Sequence, residues 1–155
     1  MIRVLVATLL ALLVAGCSAA PAPPDPVADR AGIEAALRQF PEDFNAGNVD
    51  GVCGLFADDV ILIYPDSPDR GHREFCDQMR GVFERDSPSM EYAAPEIQDV
   101  IVDGDTAVVG LIWTMTVRNA EGKQLETIRE NGVDVFRRQV DGSWKIAVSH
   151  AFPET

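Results

Sequence analysis

The chain has 155 residues, of which 46% are hydrophobic and 25% charged. That balance suits one globular domain with a single core and excludes a disordered chain. A formal net charge of −12 excludes nucleic-acid binding through phosphate contacts, and adhesion to anionic lipid through a basic face.

At the N-terminus, Arg3 supplies one positive charge ahead of an apolar run over residues 4–15. The run is too short to span a bilayer and suits the core of a signal peptide. It ends in Leu13-Val14-Ala15-Gly16-Cys17, which resembles the lipobox of bacterial lipoproteins. The resemblance implies cleavage before Cys17, lipidation of that cysteine, and export to the cell envelope. Ser18 follows, where Asp does not. By the same resemblance the anchor lies in the outer membrane if the source is Gram-negative, and in the plasma membrane if it is Gram-positive. Residues 18–28 are rich in Ala and Pro without apolar periodicity, and read as a semi-extended tether. The folded domain is expected over 29–154.

The first helix is expected to start near Asp29, with Ile33, Ala36, Leu37, Phe40 and Phe44 on one face. Pro41 removes a helical hydrogen bond, so a kink or break is expected there. Gly47 stands where a left-handed C-terminal residue is needed. Asn48 can cap a short second helix over 49–56. A first strand is expected over 60–64, ended by Pro65, and a third helix over 72–85 with Phe75, Met79, Val82 and Phe83 as its buried stripe. Beyond Met90 the apolar period becomes two. Strands are expected over 91–102 (interrupted at Pro95), 106–118, 124–138 and 144–152, with turns at Asp103-Gly104, Asn119 to Gly122 and Asp141-Gly142. Helices followed by an antiparallel meander define an α+β architecture. The run over 106–118 is apolar on both parities, Val109, Leu111, Trp113, Met115 and Val117 on one, Val108, Gly110 and Ile112 on the other. A second apolar face implies a second partner for the sheet. Acidic pairs such as Asp58-Asp59 read as solvated loop or strand-end residues.

With Cys17 set aside for lipid, Cys53 and Cys76 remain, on the second and third helices. Two readings stay open: a disulfide pinning those helices, or two buried thiols packing as small hydrophobes. No Cys/His spacing resembles a zinc site, and no metal or cofactor is expected.

The stretch Asn45-Ala46-Gly47-Asn48-Val49-Asp50-Gly51, running on through Phe56-Ala57-Asp58-Asp59-Val60 to Tyr64-Pro65-Asp66, resembles the NTF2-like superfamily, in particular its ketosteroid-isomerase and SnoaL-like branches. The likeness covers roughly residues 33–152. It implies a cone of three N-terminal helices packed on a curved antiparallel sheet, a mostly apolar pocket, and a homodimer through the convex sheet face. In the isomerase branch a carboxylate shuttles a proton while a tyrosine and a protonated aspartic acid stabilise the oxyanion. Carried over position by position, Phe40 stands at the tyrosine and Tyr64 at the catalytic carboxylate, and only Asp134 in Val133-Asp134-Val135-Phe136 matches. The isomerase mechanism therefore does not transfer.

The candidate site comprises Phe40, Tyr64, Trp113, Asp134 and His150 as pocket residues, with Asp134 and His150 as a catalytic pair if they meet. His150 is placed on the parity of Trp144, Ile146, Val148 and Phe152. A half-buried Asp on a strand is also readily satisfied by a neighbouring Arg, and a strand His by core hydrogen bonds. Glu130 shares the parity of Asp134 and nothing else distinguishes it. Three functions follow: a lipid-anchored domain binding a small apolar or amphipathic molecule, a SnoaL-like enzyme (isomerase, cyclase or hydrolase), or an envelope protein-interaction module. The first is favoured, because the pocket fold is kept while two of the family's acid/base positions are lost.

Overall fold

A computed structural model describes residues 25–85 and 88–154. The signal-peptide segment, Cys17 and the first part of the tether lie outside the described residues.

Helix α1 (Pro26–Asn45) begins ahead of Asp29, inside the stretch expected to be tether. The reason is local. The Asp25 carboxylate accepts from the backbone N–H groups of Val27 at 3.0 Å and Ala28 at 3.3 Å, and Pro26 fills the first turn, where its missing N–H is not needed. The helix continues through Pro41 without a break, burying Ile33, Leu37, Phe40, Pro41 and Phe44 on one face. Gly47, at φ 69°, turns the chain. Asn48 caps α2 (Val49–Gly54) by accepting from the Gly51 N–H at 3.2 Å.

The second helix is shorter and the first strand longer than expected, because β1 (Phe56–Ile63) claims Phe56 onward. Phe56, Ala57, Val60 and Leu62 are buried while Asp58 and Asp59 face solvent, so the acidic pair sits on the outer side of a strand. Helix α3 (His72–Phe83) follows a Pro-rich loop. The disulfide reading holds for the two cysteines: Cys53 of α2 is bonded to Cys76 of α3, with Cα atoms 5.8 Å apart.

The expected interrupted strand is two strands, β2 (Ser89–Tyr92) and β3 (Glu96–Asp103), divided where Pro95 cannot donate to a ladder. Both pair antiparallel with β4 (Thr106–Arg118), β2 along its second half and β3 along its first. β5 (Gln124–Arg138) and β6 (Trp144–Pro153) complete a six-stranded sheet of order β1-β6-β5-β4-β2, with β3 on β4. The sheet curls into a half-barrel around the helices. It is not wholly antiparallel: β1 and β6 run parallel.

The concave face carries the core, including Val109, Leu111, Phe136 and Ile146, packed on Ile33, Leu37 and Phe40 of α1. Asp29 and Arg138 tie α1 to β5 through two hydrogen bonds of 2.7 and 2.6 Å, and the Arg138 guanidinium lies 4.3 Å from the Trp144 ring. At the other end of α1, the Asn45 side chain donates to the Tyr92 carbonyl at 2.8 Å and accepts from the Tyr92 N–H at 2.9 Å. This fixes where Tyr92 stands. The convex face is also apolar: Ile61, Ile101, Val108, Val133 and Phe152 are between 40% and 66% exposed. Among the described residues no helix is long and apolar enough to cross a membrane.

Candidate functional site

The curled sheet and the helices enclose a cavity of about 750 Å³. Its aromatic wall is set by α1 and the sheet. Phe40 lies 5.1 Å from Trp113 and 5.5 Å from Tyr92, ring centre to ring centre, and Tyr92 lies 5.8 Å from Trp113. Phe56 and Phe75, 4.6 Å apart, carry the wall across to α3. The loop after β1 and the first turns of α3 add Ser67, Asp69, Arg70, Glu74 and Gln78. Gly132 makes room on the sheet side. A Cβ there would stand 3.0 Å from Leu111 Cδ2 and 3.7 Å from Trp113 Cδ1.

One polar pair stands inside this wall. The Tyr64 hydroxyl donates to Glu130 Oε1 at 2.8 Å. Burial, reinforced by that bond and by the charge of Glu130, pushes the Tyr64 phenol up to about 12. Burial foremost, then the charge of Glu130, also makes the Tyr92 phenol a weaker acid than usual. Both phenols are therefore neutral donors near neutral pH. Glu130 is the residue that sequence reasoning passed over. Its signal was there: it lies on the concave parity of β5, and Gly132 beside it has no side chain to cover it.

Three of the five expected pocket residues, Phe40, Tyr64 and Trp113, line the cavity. Asp134 and His150 do not, and they do not meet. Asp134 is buried behind the cavity wall, its Cα paired with that of Ser149, which does line the cavity. Burial raises the Asp134 carboxyl to about 7, opposed by the Ser149 hydroxyl donating to it. His150 faces the other way. The register passes from Val135 opposite Val148 to Phe136 opposite Ile146, so Ala147 is an extra, unpaired residue. This bulge reverses the parity of the rest of β6. Trp144 and Ile146 point inward, as do Ser149 and Ala151, whereas His150 and Phe152 lie on the convex face with ring centres 4.1 Å apart. The expected parity of His150 is corrected by that one residue, and the Asp134–His150 acid/base pair is not formed. Among the described residues no cluster of metal-ligating side chains occurs.

Helices inside a curled sheet, around an apolar cavity with a small polar centre, define a cone of the NTF2-like kind. The sequence profile of the SnoaL-like domain matches residues 20–147, and the chain belongs to that family. Solved structures agree. A ketosteroid isomerase-like protein from Erwinia carotovora atroseptica SCRI1043 is similar at 27% identity and a TM-score of 0.64, over 81% of this chain and 95% of that one. A conserved protein from Planctomyces limnophilus DSM 3776 is similar at 18% identity and a TM-score of 0.72, over 83% and 98%. A protein from Streptomyces avermitilis, provisionally named a dehydratase of the NTF2-like family, is similar at 21% identity and a TM-score of 0.68, over 84% and 99%. No curated protein matches the sequence.

Proposed function

We propose that this chain is a lipid-anchored protein of the cell envelope that binds a small, largely apolar molecule in its cone. The cavity carries the reading: about 750 Å³ of aromatic-walled space is the size of a drug-like ligand site. The Tyr64–Glu130 pair supplies the orienting polar contact that such sites need. The lipobox-like Cys17 and the signal-like run before it support the anchor. The apolar convex face, with Val108 and Val133 exposed, supports a homodimer. Native mass spectrometry of the purified protein tests the central claim. The expected result is a dimer mass plus a small-molecule adduct that Trp113→Ala weakens. A bare protein that also binds no member of a library of small apolar compounds refutes it.

A second reading is an enzyme of the SnoaL-like kind. It is favoured by one observation: Glu130 and a neutral phenol stand 2.8 Å apart inside an apolar site, an arrangement suited to moving a proton. The enzyme names carried by two of the similar structures point the same way. On this reading Glu130 and Tyr64 take the roles expected of Asp134 and His150. Turnover of a bound compound that Glu130→Gln abolishes without releasing the compound would favour it.

A further inference from the structure

We infer that the ligand of this cavity is an organic cation, an amine or ammonium group carried on an apolar body. The inference rests on the ligand-binding reading above and adds the charge of what is bound.

Glu130 is the origin of the argument. Its carboxylate is part-buried in the aromatic-walled cavity, and among the described residues the Tyr64 hydroxyl donates to its Oε1. A neutral phenol stabilises a carboxylate by donating a hydrogen bond but leaves the negative charge uncompensated. Among the described residues Glu130 makes no ion pair, although Arg129 next to it makes two, with Glu96 and Glu154 on the convex side. The charge of Glu130 is felt across the cavity, since it suppresses ionisation of both Tyr64 and Tyr92. The other charged groups on the wall add to the imbalance. Asp69 and Glu74 are acidic, and Arg70 is the one basic side chain lining the cavity among the described residues, with Nη1 already donating to Gln78 Oε1.

The neutral part of the wall suits the same ligand. The rings of Tyr92 and Trp113 line the same cavity as Glu130, and a cation that meets an aromatic face as well as a carboxylate gains from both. An anionic headgroup would meet Glu130, Asp69 and Glu74 on a wall where, among the described residues, Arg70 is the one cation to offset them. A neutral alcohol would satisfy the free carboxylate oxygen but leave the charge uncompensated. At longer range the net charge of −12 concentrates cations near the protein and repels anions.

Three probes that share one skeleton isolate the charge: 4-phenylbutylamine, 4-phenylbutanol and 4-phenylbutyrate, titrated calorimetrically into the full protein near neutral pH. The expected order is amine first, alcohol about tenfold weaker, butyrate weaker still. Glu130→Gln should bring the amine down to the alcohol and leave the alcohol unchanged. Unchanged binding of the alcohol by Glu130→Gln shows that this variant has kept its fold. Equal binding of all three probes, or undiminished amine binding in Glu130→Gln, overturns the charge assignment while the cavity reading stands. Binding of none of them, by a protein that also carries no adduct, overturns both.

Discussion

Asp134→Asn should change how the stability of this protein depends on pH. The Asp134 carboxyl ionises near 3.8 in the unfolded chain, and burial raises it to about 7 in the folded one. Between those values the unfolded chain has released a proton that the folded chain still holds, so raising the pH favours unfolding. The folded state loses about 1.4 kcal/mol per pH unit over that window, roughly 4 kcal/mol in all, and above pH ~7 the loss is complete. Asparagine has the same shape and does not ionise. Its amide brings a donor that needs a partner behind the cavity wall, at a cost of about 1–3 kcal/mol that does not vary with pH. The test is therefore the slope of the difference and not its height. Urea unfolding of both proteins, from about pH 4.5 to about pH 8.5, should show the variant gaining on the wild type up to pH ~7 and level thereafter. Parallel curves would refute the reasoning, because they would mean that the carboxylate is already ionised and solvated in the folded state.

Other outcomes follow from the same structure. Cys53→Ala/Cys76→Ala should lower unfolding free energy by about 3 kcal/mol, given a sequence separation of 23, and wild type treated with dithiothreitol should match it in urea melts. Val133→Glu, at a convex position 47% exposed, should give a monomer by light scattering at micromolar concentration with an unchanged circular dichroism spectrum; a variant that stays dimeric places the contact elsewhere. His150→Ala should leave binding of 4-phenylbutylamine unchanged, since the ring lies on the convex face. Gly132→Leu should abolish that binding, and calorimetry will show it, because the new side chain starts against Leu111 and fills the space beside Trp113.

Local rules carried most of the architecture. Ile33, Leu37, Phe40 and Phe44 recur at helical spacing and all reach the core. Gly47, Gly104 and Gly142 take the positive φ that their turns require. The polar half of the site was less legible, because it depends on pairing and not on pattern. Ala147 is an ordinary strand residue, and nothing in its neighbours announces that β5 will slip past it. That slip decides which of Ser149 and His150 meets the cavity. Asp58 and Asp59 read as loop because an acidic pair is a poor strand former. The structure overrides that preference by pairing β1 with β6 and giving Asp59 the guanidinium of Arg137. Glu130 was visible by parity, but only the approach of Tyr64 from β1's end made it a centre.

The parallel pairing of β1 with β6 also governs when this domain can become a domain. The strand nearest the helices in sequence finds its only sheet partner in the last strand described, and β6 separates β1 from every other member of the sheet. A ribosome that has made the helices and five strands has therefore made a chain whose first strand has nowhere to go. Such long-range closure slows folding and leaves apolar edges waiting. On the export proposed above, that delay would be useful: a polypeptide that cannot finish its sheet until β6 emerges stays threadable until then.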